Sequence, residues 1–373
     1  RKFMKLFKSL LVAPATLGLL APMSATANEV TISDFSPAEQ LAITNSRVDG
    51  LEARMNDYEA GGFSETTTAS FSLDTVVGAV DGGNDATEAV SFDYQMNIGL
   101  STSFTGEDSL DVTIDIGGSG GTTVGTDVTE AASIMGFQAT SDKLVVDGIT
   151  YTFPLGGATV VVGDTTDISS TFTGACAYSA FTDYMGNCGT GNSVGVGGKG
   201  VTASVGYAFD SGFSLAGGVS SLETDIMTKE GTDIYGIEAA YTADSYGVAV
   251  AYVSDDGGTG AETTYWGVNA FYAPESSSLP SISGGIETSE SAGTDKSGYF
   301  LGLTWPEVGP GSVSLGLGTN TLYTDAQTEY FTYEASYSYP INDGMTITPG
   351  VYIKEAASGD DDTGILVKTS FSF

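Results

Sequence analysis

The sequence predicts an all-β protein, a 16-stranded antiparallel transmembrane β-barrel that is preceded by a short α-helical coiled-coil segment. Three observations support this fold class. After Phe63 the chain alternates apolar residues with small or polar residues almost everywhere. The connections between the alternating segments are short and long in turn. The last strand, 363–373, is amphipathic and ends on Phe373, as the closing strand of a membrane barrel does.

Residues 1–27 have the pattern of a secretory signal peptide. A basic segment over residues 4–8 precedes an apolar run over residues 10–21, and an A-x-A cleavage motif ends at Ala27. Residues 1–3 stand ahead of the first methionine and are interpreted as an artefact of the reading frame. We therefore expect export across the inner membrane and a mature chain that begins directly after the motif. No later stretch approaches the ~20 consecutive apolar residues of a membrane-spanning helix.

The segment that follows, residues 28–62, is expected in the periplasm and contains a predicted coiled coil over residues 38–60. Its apolar positions are spaced three and four apart, which is the a/d pattern of a coiled coil. These positions are Leu41, Thr44, Val48, Leu51, Met55 and Tyr58. So few heptads are marginal for an isolated helix, and the pattern therefore indicates an assembly that holds several copies together. The alternative is one amphipathic helix that folds back on its own domain.

The barrel domain is predicted over residues 63–373, and each strand has one apolar and one small or polar face. The predicted strands are 66–80, 89–104, 108–116, 143–153, 158–164, 199–209, 212–222, 233–243, 245–254, 263–273, 280–288, 297–305, 311–319, 328–339, 344–355 and 363–373. A soluble sandwich of this size would carry Lys, Glu and Arg on its outer faces. Here the polar face is mainly Ser, Thr, Gly, Asp and Asn, which is typical of a water-filled lumen.

Connections and aromatic residues give the predicted barrel two distinct ends. The turns after the even-numbered strands are short and are expected in the periplasm, whereas the other connections tend to be longer and acidic, above all 117–142 and 165–198. Aromatic residues form two bands. At the short-turn end they are Phe104, Phe153, Phe209, Phe213, Tyr241, Tyr246, Tyr272, Trp305, Tyr339 and Phe373, and at the other end Phe92, Tyr235, Tyr252, Trp266, Tyr299 and Phe331. Such bands are typical of the interfacial girdles of a membrane barrel.

The composition excludes several functional classes. The formal net charge is −35, and from Phe63 onward the chain has six lysines and no arginine. Nucleic-acid binding requires clustered Lys and Arg and is therefore excluded. The absence of histidine excludes Ser-His-Asp hydrolases and zinc sites with His ligands. We expect no catalytic residue, no metal and no cofactor. The acidity either solvates the loops or forms a vestibule that attracts cations.

Two cysteines, Cys176 and Cys188, lie 12 positions apart in a Gly-rich segment. In an exported protein this pair predicts one disulfide that clamps a loop. A metal-binding or catalytic pair is the alternative.

The polar faces of the strands supply the candidate pore-lining residues. A 16-stranded barrel leaves an aqueous channel, and its selectivity depends on the side chains at the narrowest part. The lumen-facing acids are predicted to be Asp74, Asp93, Asp111, Asp115, Glu238 and Glu334, opposed by Lys354 and Lys368. Without arginine in the barrel there is no row of guanidinium groups for phosphate or carboxylate solutes. We therefore expect cation preference, or weak selectivity among small ions and neutral nutrients.

Several stretches carry a resemblance to a known family. They are the leader MKLFKSLLVAPATLGLLAP, SRVDGLEAR over 46–54 running into GGFSETT, YTFPLGGATVVVG over 151–163, GVTASVGYAFDSGFSLAGG over 200–218, and TGILVKTSFSF over 363–373. They resemble the cyanobacterial outer-membrane porins of the carbohydrate-selective porin superfamily. The resemblance implies a homotrimeric barrel in outer-membrane lipid. Family members carry a surface-layer-homology domain between leader and coil, where this chain has only residues 28–37, so tethering to peptidoglycan is not expected.

The resemblance also implies roles for individual residues. The third external connection, 165–198, is expected to fold into the barrel and to set its narrowest point, with Asp183 and Tyr184 near the constriction. The alternative is an ordinary surface loop. Phe371 and Phe373 are expected to be the signal that the barrel-assembly machinery recognises.

The main functional hypothesis is passive diffusion of small solutes across the outer membrane. Two alternatives stay open. Carbohydrate uptake would need aromatic platforms in the lumen, for which the candidates are Tyr265, Phe271, Tyr330 and Tyr352. The other alternative is a mainly structural barrel that forms part of the envelope surface.

Overall fold

The computed structural model describes residues 67–82, 89–118, 130–226, 228–275 and 278–373. All of them belong to one compact unit, Gly62–Phe373. The predicted signal peptide and coiled coil fall on residues 1–62 and lie outside the described residues. None of the helices in the described part of the chain combines the length and the apolar character that crossing a membrane requires.

Sixteen antiparallel strands of the described residues form one closed barrel, in which each strand pairs with its neighbours in sequence and β1 pairs with β16. The strands are β1 (Thr67–Asp81), β2 (Ser91–Thr102), β3 (Ser109–Gly117), β4 (Val145–Leu155), β5 (Ala158–Asp164), β6 (Val201–Ala208), β7 (Phe213–Ser221), β8 (Asp233–Thr242), β9 (Tyr246–Asp255), β10 (Thr263–Tyr272), β11 (Ser281–Ser291), β12 (Thr294–Val308), β13 (Gly311–Thr319), β14 (Phe331–Asn342), β15 (Met345–Lys354) and β16 (Asp362–Ser372). The predicted 16-stranded antiparallel barrel is confirmed.

One connection differs from the predicted alternation of short turns and longer loops. The segment 289–296 is predicted as a loop, but β11 and β12 stay paired until Ser291 lies opposite Thr294. The two residues between them have left-handed backbone, with φ of 49° at Ala292 and 76° at Gly293. Positive φ at both central residues is the geometry that suits the twist of a two-residue hairpin. Because Ala-Gly is a weak signal for such a turn, the sequence pattern indicates a loop instead.

The barrel closes where β16 pairs with β1, with Val367 opposite Val77. At the end of this seam the Phe71 N–H donates to the Phe373 carbonyl oxygen (2.9 Å), and the Phe373 N–H donates to the Phe71 carbonyl oxygen (3.0 Å). The two rings stack with centroids 5.7 Å apart and an interplanar angle of 11°. The seam therefore combines a paired backbone with an aromatic contact at the rim.

The two faces of the wall carry different side chains. On β9, Tyr246, Val248 and Val250 are exposed on the outside, whereas Ala249 and Ala251 are fully buried on the inside. Large exposed apolar side chains recur on the outer face of most other strands. Monomeric soluble proteins rarely expose an apolar surface of this extent.

Aromatic rings cluster at both ends of the barrel, which we call the short-turn end and the loop end. Ring contacts at the short-turn end join Phe104 to Tyr151, Tyr207 to Phe209, Phe213 to Tyr241, and Tyr337 to Tyr339, and those at the loop end join Tyr252 to Trp266 and Tyr299 to Phe331. The rings lie where the strands end, as expected for residues at an interface between lipid and water.

The turn between β2 and β3 is held by one carboxylate. Asp108 Oδ1 accepts the N–H groups of Phe104 (2.9 Å) and Thr105 (2.8 Å) and the Ser103 hydroxyl (2.9 Å). Its Oδ2 accepts the Tyr151 hydroxyl (2.6 Å). These donors, above all the Tyr151 hydroxyl, hold the pKa of the Asp108 carboxyl well below its usual range. The turn thus depends on a carboxylate that stays ionised.

Short helices occur in the two longest connections. They are α1 (Glu130–Ile134), a 3-10 helix (Asp183–Gly189) and α2 (Gly191–Val194). Helices of this length need contacts with the rest of the protein to be stable. Helix α1 obtains them from β1 and β2.

Part of the inner face is apolar, although the sequence predicts a polar lumen. Val76, Tyr352 and Leu366 are fully buried on this face. They form one cluster with Ala131 and Ile134 of α1 and with Phe181 of the connection between β5 and β6. The inner face is apolar here because the two longest connections cover it.

We predict that Phe373→Ala lowers the stability of the folded barrel by about 1 kcal/mol, since an aromatic pair contributes roughly 0.5–1.5 kcal/mol beyond its buried area. Thermal unfolding in detergent micelles, followed by gel mobility, measures the change. Tyr272→Ala is the control, because it removes an exposed ring from the same end that takes part in none of the ring contacts above and lies away from the β1–β16 seam. The seam has no special role if both variants lose the same stability.

Candidate functional site

The connection between β5 and β6, residues 165–198, lies against the inner face of the barrel, and we call it the inner loop. Its Ala175 N–H donates to Asn269 Oδ1 on β10 (2.7 Å), and its Ala177 N–H donates to Ser283 Oγ on β11 (3.0 Å). Asn269 belongs to the inner face because it pairs with the buried Ala249 of β9. The inner loop is thus bonded to strands that are distant from it in sequence.

Three glutamates of the inner face accept hydrogen bonds from the inner loop. Glu238 on β8, Glu287 on β11 and Glu334 on β14 are only 4%, 1% and 4% exposed. Glu238 accepts the N–H groups of Thr173 (2.6 Å) and Gly174 (3.1 Å). Burying a carboxylate is costly unless it is hydrogen-bonded. These bonds therefore explain how acidic side chains can lie beneath a loop.

Glu287 binds the arm of the inner loop that returns to the wall. It accepts hydrogen bonds from Asn192 Nδ2 (2.7 Å) and from the Ser193 hydroxyl (2.7 Å). Beside it, Asn269 Nδ2 donates to the Thr190 hydroxyl (3.0 Å). This arm is therefore fixed to the neighbouring strands β10 and β11.

Glu334 receives four hydrogen bonds from three residues of the inner loop. Its Oε1 accepts the Tyr178 hydroxyl (2.7 Å) and the Phe181 N–H (2.8 Å). Its Oε2 accepts the Thr182 N–H (2.8 Å) and the Thr182 hydroxyl (2.6 Å). Burial, together with the Glu334 charge, raises the pKa of Tyr178, so that its hydroxyl stays protonated as a donor. Bonds to an ionised acceptor are roughly twice as strong as neutral ones, so this contact holds the loop firmly on β14.

Cys176 and Cys188 form a disulfide, as predicted, with Cα atoms 5.8 Å apart. Cys188 is fully buried and packs against Phe300 of β12. The backbone around it is left-handed over three residues, with φ of 51° at Asn187, 54° at Cys188 and 67° at Gly189. Residues other than glycine adopt this conformation at a cost. The disulfide and the burial of Cys188 hold the turn in it.

The predicted constriction residues Asp183 and Tyr184 lie at the tip of the inner loop. Tyr184 is 37% exposed, and Lys354 Nζ on β15 donates to its hydroxyl (2.9 Å) and lies 4.7 Å from its ring centroid. The lysine charge is thus engaged by a hydrogen bond and a cation–π contact. Asp183 is exposed beside Gly136, where an added Cβ would lie 2.8 Å from the Asp183 Cγ. The two long connections therefore meet at the tip.

The other predicted pore-lining residues lie on the inner face of β1, β2, β3 and β16. Asp93 and Asp115 are buried, at 7% and 4% exposure. Lys368 is half-buried, opposite Val76 in the seam.

A group of half-buried polar residues occupies the same part of the inner face. It consists of Asp74, Asn97, Asp111 and Thr113, which we call the open wall. The hydrogen bonds of the inner loop described above go to β8, β10, β11, β14 and β15. In a ring of sixteen strands, the open wall lies across the barrel from most of these attachments.

Glu238 and Glu334, predicted to line the pore, lie on the inner face but beneath the inner loop. Their carboxylates bond to loop groups and have little exposure. Glu287 and Asn269 lie in the same position and are missing from the predicted set. Their signal was present, since Glu287 alternates with apolar Ile286 on its strand. Which polar positions are covered depends on the path of the inner loop. The alternation of side chains along a strand carries no information about that path.

Two more acidic residues were missed by sequence reasoning. Asp147 is the extra residue where the β3–β4 register shifts between Gly148 and Val146. Burial, and then the Asp147 charge, raises the pKa of Asp167 at the start of the inner loop.

No cluster of three or more His, Cys, Asp or Glu side chains in the described part of the chain is arranged to hold a metal ion.

The aromatic residues suggested for sugar stacking do not form a continuous surface. Tyr265 and Phe271 pack in clusters that include residues of the inner loop. Tyr352 is buried against α1. Tyr330 contacts Tyr323 in the connection between β13 and β14.

Comparison with known sequences finds one partial relative. No family model matches the chain. The chain is 32% identical over 162 residues to an uncharacterized protein of Nostoc sp., and the match covers 40% of the chain and 27% of that protein's length.

Comparison with solved structures shows the fold of the barrel. OprB of Pseudomonas putida matches with a TM-score of 0.64 and 11% identity, over 83% of this chain and 94% of that one. An anion-selective porin from Comamonas acidovorans matches with a TM-score of 0.60 and 15% identity, over 83% and 99% of the two chains. A loop L8 deletion mutant of the Vibrio cholerae outer-membrane protein OmpT matches with a TM-score of 0.58 and 10% identity, over 83% and 100%. The barrel has the porin fold.

We predict that the double substitution Cys176→Ser and Cys188→Ser loosens the inner loop. A disulfide typically contributes about 2–4 kcal/mol by restricting the chain it closes. Hydrogen exchange followed by mass spectrometry should show faster exchange of the amides between the two positions. The amides of β9 and β10 serve as the internal control and should keep their protection. Unchanged exchange between the two positions would show that packing alone holds the loop.

Proposed function

We propose that this protein is an outer-membrane porin, a water-filled channel for the passive diffusion of small ions and nutrients that prefers cations. The observation that carries the proposal is the attachment of the inner loop to one side of the barrel, opposite the half-buried polar side chains of the open wall. A 16-stranded barrel is wide enough for an aqueous lumen. A loop that is fastened along one side narrows such a lumen and leaves a path along the other.

Solutes would pass between the tip of the inner loop and the open wall. Asp74 and Asp111 place negative charge on that wall, with Lys368 near them in the seam. On the opposite side, Lys354 is engaged by the hydroxyl and ring of Tyr184. Low-dielectric walls focus the field of fixed charges and raise the local concentration of counter-ions. The excess of acid along this path supports a preference for cations.

The comparison with the Comamonas acidovorans porin bears on the sign of this preference. That protein is anion-selective and has the same fold. The fold therefore leaves the sign of selectivity open, and the side chains of each barrel decide it. This chain has six lysines and no arginine from Phe63 onward, and so lacks the guanidinium groups that suit anionic solutes.

The outer surface supports a place in the membrane. Ile237 and Ile286, at 61% and 58% exposure, represent an apolar band between the two aromatic ends. Lipid chains would cover this band, with the aromatic rings at the two interfaces. We place the short-turn end in the periplasm, where the barrel-assembly machinery would recognise Phe371 and Phe373. The coiled-coil pattern over 38–60 supports a homotrimer.

We predict that Asp74→Asn with Asp111→Asn lowers the preference for cations. One charge about 10 Å from the path of an ion contributes roughly 0.4 kcal/mol in water, so the double variant should lower the permeability ratio of cations over anions by at least about twofold. The reversal potential of purified protein in planar bilayers under a salt gradient measures this ratio. Asp210→Asn is the control, because it removes a carboxylate from the turn between β6 and β7 outside the lumen.

Three outcomes separate the alternatives. An unchanged ratio in the double variant, or anion preference in the wild type, would contradict the proposal. Absence of any conductance would favour a structural envelope barrel. Rapid swelling of liposomes in sugar solutions without ion selectivity would favour carbohydrate uptake.

A further inference from the structure

We propose that Glu334 is the positioning residue of the constriction: its carboxylate holds the tip of the inner loop in the lumen. The predicted effect on ion flow rests on the proposed channel function. The claim that Glu334 holds the tip rests only on the contacts of the inner loop.

The four hydrogen bonds use the full acceptor capacity of the Glu334 carboxylate. Each of its oxygens accepts two hydrogen bonds, from Tyr178 and Phe181 on one side and twice from Thr182 on the other. A carboxylate accepts four such bonds, whereas an amide has a single acceptor oxygen. The two hydroxyls can turn to accept, but the two backbone N–H groups can only donate. With a single acceptor oxygen, one of these N–H groups loses its acceptor and the charge assistance is removed.

Among the described residues, the groups bonded to Glu334 are hydrogen-bond donors of the inner loop, and the one salt bridge is Lys199–Asp255, on another part of the barrel. The titratable groups nearest Glu334 are Tyr178 from the inner loop, its cross-strand neighbour Tyr352 on β15 and, at the next inward position of β15, Lys354. The β13 neighbour is Gly316, which carries no charge. The contact thus depends on one carboxylate and its four donors.

The place of Glu334 relative to the disulfide distinguishes it from the other two glutamates. The donors to Glu238 precede Cys176 in the chain, and the donors to Glu287 follow Cys188. The three residues that donate to Glu334 lie inside the ring that the disulfide closes. Loss of the Glu334 contact would therefore free the tip, while the disulfide and the other two glutamates keep the arms of the loop in place.

The tip carries the predicted constriction residues. Thr182, held twice by Glu334, directly precedes Asp183 and Tyr184. Tyr184 engages Lys354 through its hydroxyl and its ring. Release of the tip therefore displaces these groups in the lumen and increases current fluctuations.

Glu334→Gln tests the inference, because glutamine keeps the shape but neither the charge nor the second acceptor oxygen. In single-channel recordings at neutral pH, the wild type should be quiet. The variant should fluctuate about tenfold more than the wild type, as expected when charge-assisted bonds are replaced by weaker ones. A quiet variant would overturn the inference.

Hydrogen exchange of the purified barrel gives a second readout that does not require conductance. In Glu334→Gln the amides of Phe181 and Thr182 should exchange about tenfold faster than in the wild type at neutral pH. In the matched control Glu287→Gln, faster exchange should appear at Asn192 and Ser193 and not at the tip. Tyr178→Phe removes one donor but keeps the carboxylate, so exchange at the tip should rise less than in Glu334→Gln.

The two readouts separate this inference from the proposed function. A wild-type barrel that does not conduct would contradict the proposed function, and hydrogen exchange would still decide whether Glu334 holds the tip. Equal exchange at the tip in Glu334→Gln and the wild type would overturn the inference even if the barrel conducts cations.

Discussion

The closure of the β-sheet on itself is the constraint on which the rest of the structure depends. A sheet with an open edge exposes a row of unpaired N–H and C=O groups, and the pairing of β16 with β1 removes that edge. Closure divides the side chains into an apolar outer face and an enclosed inner face. The inner face then has to accommodate the two longest connections, and small residues provide the space. A Cβ on Gly285 would lie 1.9 Å from the Cys188 carbonyl oxygen, so only glycine permits this approach.

A loop folded into a barrel brings its own backbone and side-chain polar groups, and these need partners on the wall. Glu238, Glu287 and Glu334 supply them at intervals of three strands. Each carboxylate is buried and each is satisfied by donors from the loop, which is the condition for placing charge in a region of low dielectric constant. The acidity of the barrel therefore has two roles. Some carboxylates fasten the inner loop, and others, such as Asp74 and Asp111, remain half-buried on the open wall.

The fold was predictable from the sequence to a large extent, because a period of two survives wherever the two faces of a strand have different surroundings. The bounds of β5 and β13 agree with the prediction to the residue. The hairpin at Ala292 and Gly293 was missed, since its backbone conformation is unusual for its residue types. The site was less predictable. Alternation places Glu238 and Asp111 on the same face, but only the path of the inner loop decides that one is covered and the other is not.

Cysteine accessibility tests most directly whether the inner loop covers one wall and leaves the other open to solutes. Thr113→Cys places a thiol on the open wall, and Ser283→Cys places one beneath the inner loop, where Ser283 is 1% exposed. A charged thiol reagent added during recording should reduce the current through Thr113→Cys barrels and leave Ser283→Cys barrels unaffected. Rapid block of Ser283→Cys barrels, with no block of Thr113→Cys barrels, would contradict this account.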